Sequence, residues 1–122
     1  MAATVLVVDD ESPIVEIIQD ILESRGYRVL ATSDSERALA MLDEDPGPVH
    51  LLLTDVLMPD HLSGPELAER VQHRWPDVRV IFMSGHDRET LPEGALPPNA
   101  RVLLKPITLE ALLSAVSTAL GP

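Results

Sequence analysis

The chain has 122 residues and a mass of 13.3 kDa, one domain's length, and 45 % of it is apolar, enough for a core without disulfides or a structural metal. Twenty acidic against nine basic residues give a net charge of −11, which argues against docking on nucleic acid or on an anionic membrane. With no cysteines, disulfides, thiolate metal sites and cysteine nucleophiles are excluded, and any metal must sit on oxygen or imidazole. No apolar run approaches the ~20 residues of a membrane span. No basic segment precedes Asp9, so a signal peptide is not expected and the cytoplasm is the simplest location.

Thr4–Val8 is a continuous apolar run, as expected of a strand covered on both faces. Ser12 offers an N-cap and Pro13 a first helical position. Ile14, Ile17, Ile18 and Ile21 follow at helical spacing until Gly26. Residues 27–31 read as a second strand, and Ser33 or Asp34 caps a short helix to about Leu42. Residues 43–48 form a loop by turn chemistry, residues 49–54 a third strand and residues 55–62 a loop. Ser63-Gly64-Pro65-Glu66 fits a capping box and opens a helix to about Arg74. Residues 78–83 make a fourth strand. Across residues 85–100, Pro92, Gly94, Pro97 and Pro98 permit only a short irregular fourth helix near residues 87–91. Arg101–Leu104 is the fifth strand. Thr108 caps a last helix with Leu109, Leu112, Leu113, Val116 and Leu120 on its buried side, and Gly121 ends it. Five β-α units predict an α/β fold: one doubly wound domain over residues 1–122, with a parallel sheet and helices on both faces.

In such sheets ligands bind beyond the carboxyl ends of the strands. Asp9, Asp10 and Glu11 follow the first strand, Asp55 the third, Ser84 and Gly85 the fourth, and Lys105 and Pro106 the fifth. Singly each is ordinary, whether an acidic turn before a helix, a loop aspartate, a turn serine or a surface lysine. Lys105 is nevertheless the only lysine among nine basic residues. Carboxylates converging on one rim repel, which raises their pKa values unless a cation neutralises them. With oxygen ligands only, that cation is Mg²⁺ or Mn²⁺. A lysine and a hydroxyl beside it suit the holding of an anion, and phosphoryl transfer needs little more than positioning, a metal and positive charge. One carboxylate would then be the nucleophile.

Four motifs at these strand ends carry a resemblance. They are Val-Leu-Val-Val-Asp-Asp-Glu at 5–11, Leu-Leu-Thr-Asp-Val-Leu-Met-Pro-Asp at 52–60, Met-Ser-Gly at 83–85 and Leu-Leu-Lys-Pro at 103–106. In this order and spacing, over essentially the whole chain, they resemble the response-regulator receiver domain of two-component signalling. More loosely, they look like a receiver attached to a hybrid sensor histidine kinase. The resemblance implies a flavodoxin-like sheet of order 2-1-3-4-5. It makes Asp55 the phosphoacceptor for a histidine kinase or histidine phosphotransfer domain, with small phosphodonors as further sources. Asp10 would ligate Mg²⁺ directly and Asp9 chiefly through water, with the Leu57 backbone carbonyl as a further ligand. Ser84 would be the switch hydroxyl, and Lys105 would pair with the acyl phosphate across a cis peptide bond to Pro106. Met58-Pro59 and Gly64 would shape the loop after Asp55. Leu57 and His86 stand where the family modulates hydrolysis of the acyl phosphate, and an apolar Leu57 predicts a long-lived phosphoryl group.

The sequence departs from the family in two places. Val102 stands where an aromatic switch residue is common, with Phe82 on the neighbouring strand read as core packing. Prolines also degrade the fourth helix, part of the usual output face, so a downstream partner protein would read helix one or the loop after Asp55. The expected role is signalling and not turnover catalysis. The alternatives are a phosphorylation-independent interaction domain of the same fold, an aspartyl-nucleophile hydrolase and a flavin-binding protein. The hydrolase needs a second acid two residues after its first-strand nucleophile, and the flavin protein a hydroxyl-rich loop where this chain has three acids.

Overall fold

The computed structural model describes residues 3–44, 47–59, 61–85, 91 and 94–121. Five strands, β1 (Thr4–Val8), β2 (Arg28–Thr32), β3 (Leu51–Asp55), β4 (Arg79–Ser84) and β5 (Arg101–Leu104), form one parallel sheet of order β2-β1-β3-β4-β5. Among the described residues the helices are α1 (Ser12–Ser24), α2 (Ser35–Glu44), α3 (Gly64–Arg74) and α4 (Leu109–Leu120). None is long and apolar enough to cross a membrane. The predicted short helix near residues 87–91 falls almost wholly outside the described residues.

The unbroken apolar runs are explained by two cores. Val5, Val7, Leu51, Leu53, Ile81 and Met83 pack with Ile18, Leu22, Leu112 and Val116 of α1 and α4. Leu6, Val8, Leu52 and Phe82 point the other way, against Ala38, Leu42, Leu67 and Val71 of α2 and α3. Alternation along each strand therefore feeds both layers, which is why neither face of β1 or β3 is polar. Phe82 is a core residue, as expected, and Val102 is its register partner on β5.

Several boundaries differ from the sequence reading. β2, β3 and β4 each end one residue later, so Asp55 and Ser84 close their strands instead of opening the loops. Helix α2 runs on to Glu44. Helix α1 starts at Ser12 with Glu11 as its cap and no side-chain cap bond. The reason is local: the Glu11 N–H is taken by Asp9 Oδ1 at 2.8 Å, while the Glu11 carbonyl accepts from Ile14 and Val15. Leu109, expected on the buried side of the last helix, is 50 % exposed, and Ile17, one of the apolar residues at helical spacing in α1, is 59 % exposed. The true stripes are Val15, Ile18 and Leu22 on α1, and Leu112 and Val116 on α4.

Candidate functional site

β1 has β2 on one side and β3 on the other, so crossovers leave in opposite directions and open a crevice at the carboxyl ends of β1 and β3. Val8 and Thr54 are the last paired residues there. The next residues are Asp9 and Asp55, both buried. With exposed Asp10 they form a cluster in which each residue offers a carboxylate oxygen within 4.8 Å of the others. The three predicted acids thus do converge.

Lys105 reaches the same point from the edge strand. Its Nζ lies 2.8 Å from Asp9 Oδ2, 3.6 Å from Asp55 Oδ2 and 3.5 Å from Glu11 Oε1. The contact with Glu11 was not assigned from sequence, although the Asp-Asp-Glu run carries the signal. Register supports the reach: the Lys105 N–H donates to the Ser84 carbonyl at 2.7 Å, and the Lys105–Pro106 peptide bond is cis. Ser84 is buried at the end of β4, one residue past Met83, the partner of Asp55. Gly85 follows it. Leu57 stands in the loop and is 40 % exposed. His86 lies outside the described residues.

The electrostatics follow from burial. Removing its carboxylate from water pushes the Asp55 pKa up to about 7, with the charge of Asp9 adding to the rise and Lys105 opposing it. Burial likewise raises Asp9 against the pull of Lys105. Burial also works against the Lys105 ammonium, but Asp9, Asp55 and Glu11 together hold its pKa above the ordinary lysine value. Asp9 Oδ2 is wholly buried, and the polar group it meets among the described residues is the Lys105 ammonium at 2.8 Å, which leaves the oxygen a second lone pair. A buried acceptor with spare capacity in a set of hard oxygen donors fits a small divalent cation.

The loop after Asp55 is held tightly. The Val56 N–H is shared between Asp55 Oδ1 at 3.0 Å and the Met83 carbonyl at 3.1 Å. The Gly64 N–H returns to the Val56 carbonyl at 2.9 Å, and a Cβ on Gly64 would overlap the Asp55 carbonyl oxygen. Only glycine lets α3 begin this close to the strand. The Ser63–Glu66 capping box is present in both directions. Helix α2 meets this loop through Asp34, Glu36 and His61, a second cluster with no signal in the sequence.

Comparison with known proteins agrees with this geometry. The family described as the response regulator receiver domain matches residues 5–117. The chain is 34 % identical over 117 residues, 94 % of its length, to the sensor kinase CckA of Brucella abortus (strain 2308), of which it spans only 12 %. It is 33 % identical over 113 residues to the response regulator receiver protein CpdR of the same organism, covering 92 % of each chain. Among solved structures, a response regulator receiver domain protein from Clostridium thermocellum is 33 % identical with a TM-score of 0.81, over 97 % of this chain and 94 % of that one.

Proposed function

The chain belongs to the response regulator receiver family, the phosphoacceptor modules of two-component signalling, and from that premise we propose that Asp55 takes a phosphoryl group from a phosphohistidine. The donor would be a histidine kinase or a histidine phosphotransfer domain, and the receiver unit would occupy residues 1–122. The observation that carries this reading is a buried Asp55 within 3.6 Å of the only lysine, in one cluster with Asp9 and Asp10.

Asp9, Asp10, Asp55 and the Leu57 carbonyl would hold Mg²⁺, with Mn²⁺ as a substitute. When bound, the cation supplies the positive charge that keeps Asp55 ionised and offsets charge on the phosphoryl oxygens. Asp55, whose burial beside Asp9 opposes ionisation, attacks phosphorus with a carboxylate oxygen. A P–O bond forms as the P–N bond breaks, and the imidazole nitrogen keeps the electron pair and takes a proton from solvent. Lys105, already spanning Asp9 and Asp55, meets the phosphoryl charge, and the Ser84 hydroxyl donates to a phosphoryl oxygen. Gly85 follows Ser84 at the exposed mouth of the site, and a Cβ built on it would meet nothing within 4 Å among the described residues. Apolar Leu57 cannot orient an attacking water, so the acyl phosphate persists. The chain acts in the cytoplasm as a switch read by a partner protein, and not as a turnover enzyme.

Incubation with Mg²⁺ and acetyl phosphate, followed by intact mass, tests the reading. The wild type is expected to gain one phosphoryl group and Asp55→Asn none. No gain on the wild type would favour a phosphorylation-independent interaction domain.

A further inference from the structure

The loop after Asp55 is tied to the start of α2 by groups outside the carboxylate rim. His61 Nδ1 lies 3.2 Å from Glu36 Oε2 and 3.7 Å from Asp34 Oδ1. The buried Ser35 hydroxyl lies within hydrogen-bond reach of the Leu62 carbonyl at 3.0 Å and of Glu36 Oε2 at 2.9 Å. Asp34 Oδ1 also accepts the N–H groups of Glu36 and Arg37 at 2.9 and 3.1 Å. Those bonds, Arg37's foremost, hold the Asp34 carboxyl below the usual carboxylate range, so it is ionised at neutral pH.

The cluster connects to both sides of the proposed cation pocket. On the loop side, the His61 N–H donates to the Met58 carbonyl at 3.0 Å, closing a turn directly after Leu57. On the α2 side, the Asp34 N–H donates to Thr32 Oγ1 at 3.3 Å, and the Thr32 carbonyl accepts from Asp9 N–H at 3.4 Å. An unbroken run of contacts leads from Asp9 through Thr32, Asp34 and His61 to the turn beside Leu57. Among the described residues, Asp34 and Glu36 are the charged groups that face His61. Arg37 is turned along α2 to both Glu44 oxygens, and Glu66 of α3 is bound to the Ser63 N–H.

We propose that His61, Glu36 and Asp34 form a clasp that holds the β3–α3 loop against α2 and thereby positions the Leu57 carbonyl for the cation. The inference rests on the reading of Leu57 as a ligand given above. His61 is a positioning residue: it touches neither phosphate nor metal. Its Nδ1 reaches Glu36 and Asp34 together, which ties the loop to two groups at the start of α2.

The test uses wild type, His61→Ala, His61→Lys and Glu36→Gln. Amide hydrogen exchange of residues 56–64 is followed in the metal-free proteins, and Mg²⁺ affinity is measured by calorimetry. His61→Ala is expected to speed loop exchange and weaken Mg²⁺ binding, each by about threefold, the scale of a partly exposed polar pair. Glu36→Gln should act in the same direction. His61→Lys, which keeps a donor facing both carboxylates, should restore both readouts. Equal exchange and equal Mg²⁺ affinity in all four proteins would overturn the clasp. Faster loop exchange in His61→Ala with no Mg²⁺ binding by the wild type would overturn the metal reading, and with it the positioning role, while leaving the clasp as a contact only.

Discussion

β3 and β5 end at the same rim but are built differently. All five residues of β3 are buried between two helical layers, with strands on both sides. β5 is an edge strand with one neighbour, and its first and last residues, Arg101 and Leu104, are exposed. The centre thus fixes a carboxylate, Asp55, that cannot shift without disturbing both cores. The edge supplies the opposite charge on a long flexible stem, Lys105, which reaches inward to Asp9 and Asp55. A buried charge needs its partner close. Placing the acid on the rigid strand and the base on the accommodating one keeps the pair together while leaving the lysine able to follow an incoming phosphoryl group.

The sharpest way to break this contrast is to remove the charge but keep the strand. Lys105→Ala is expected to slow phosphorylation of Asp55 by acetyl phosphate by about 100-fold, the scale of losing one stabilising donor. The adjacent Leu104→Ser should stay within about twofold of wild type, with both rates read by intact mass over time. Packing gives the second test. Leu53→Ala, wholly buried on β3, should cost about 3 kcal/mol in urea unfolding. Leu104→Ala, 55 % exposed on β5, should cost less than about 1 kcal/mol.

A third test uses pH. Asp55 is raised in the folded chain from an ordinary carboxylate value to about 7. Between those values the folded state holds a proton that the unfolded state has released, so metal-free stability falls as pH rises toward 7 and then levels off. Asp55→Asn lacks this loss. Its melting temperature should exceed the wild type's by about 5 °C at pH 8 and by less at pH 5, and Mg²⁺ should narrow the gap. The smallest expected effect is kinetic: Leu57→Asn, able to orient a water, should shorten the lifetime of the acyl phosphate in a hydrolysis time course. Equal lifetimes would remove Leu57 as a modulator.

The acidic rim was legible in the sequence because its strands are uninterrupted apolar runs, so the residue that breaks each run is also the residue at the crevice. Asp9 after Val8 and Lys105 after Leu104 are read in this way. The capping box at Ser63 and Glu66 was legible because both partners lie within one turn. Boundaries were less so. Asp55 and Ser84 look like loop residues by polarity, yet sheet pairing includes them. Ile17 and Leu109 fit the helical spacing of a buried stripe but lie beyond its width and face outward. The clasp left no trace at all, since Glu36 and His61 are 25 positions apart and meet only once the sheet has been assembled.

The central claim is that the acyl phosphate forms on Asp55 itself. Borohydride reduction of the protein treated with Mg²⁺ and acetyl phosphate, followed by peptide sequencing by mass spectrometry, tests it most directly, because an aspartyl phosphate is reduced to homoserine at the phosphorylated position. Homoserine at residue 55, and at neither Asp9 nor Asp10, is the expected result. Homoserine at one of those neighbours, with Asp55 intact, would contradict the account.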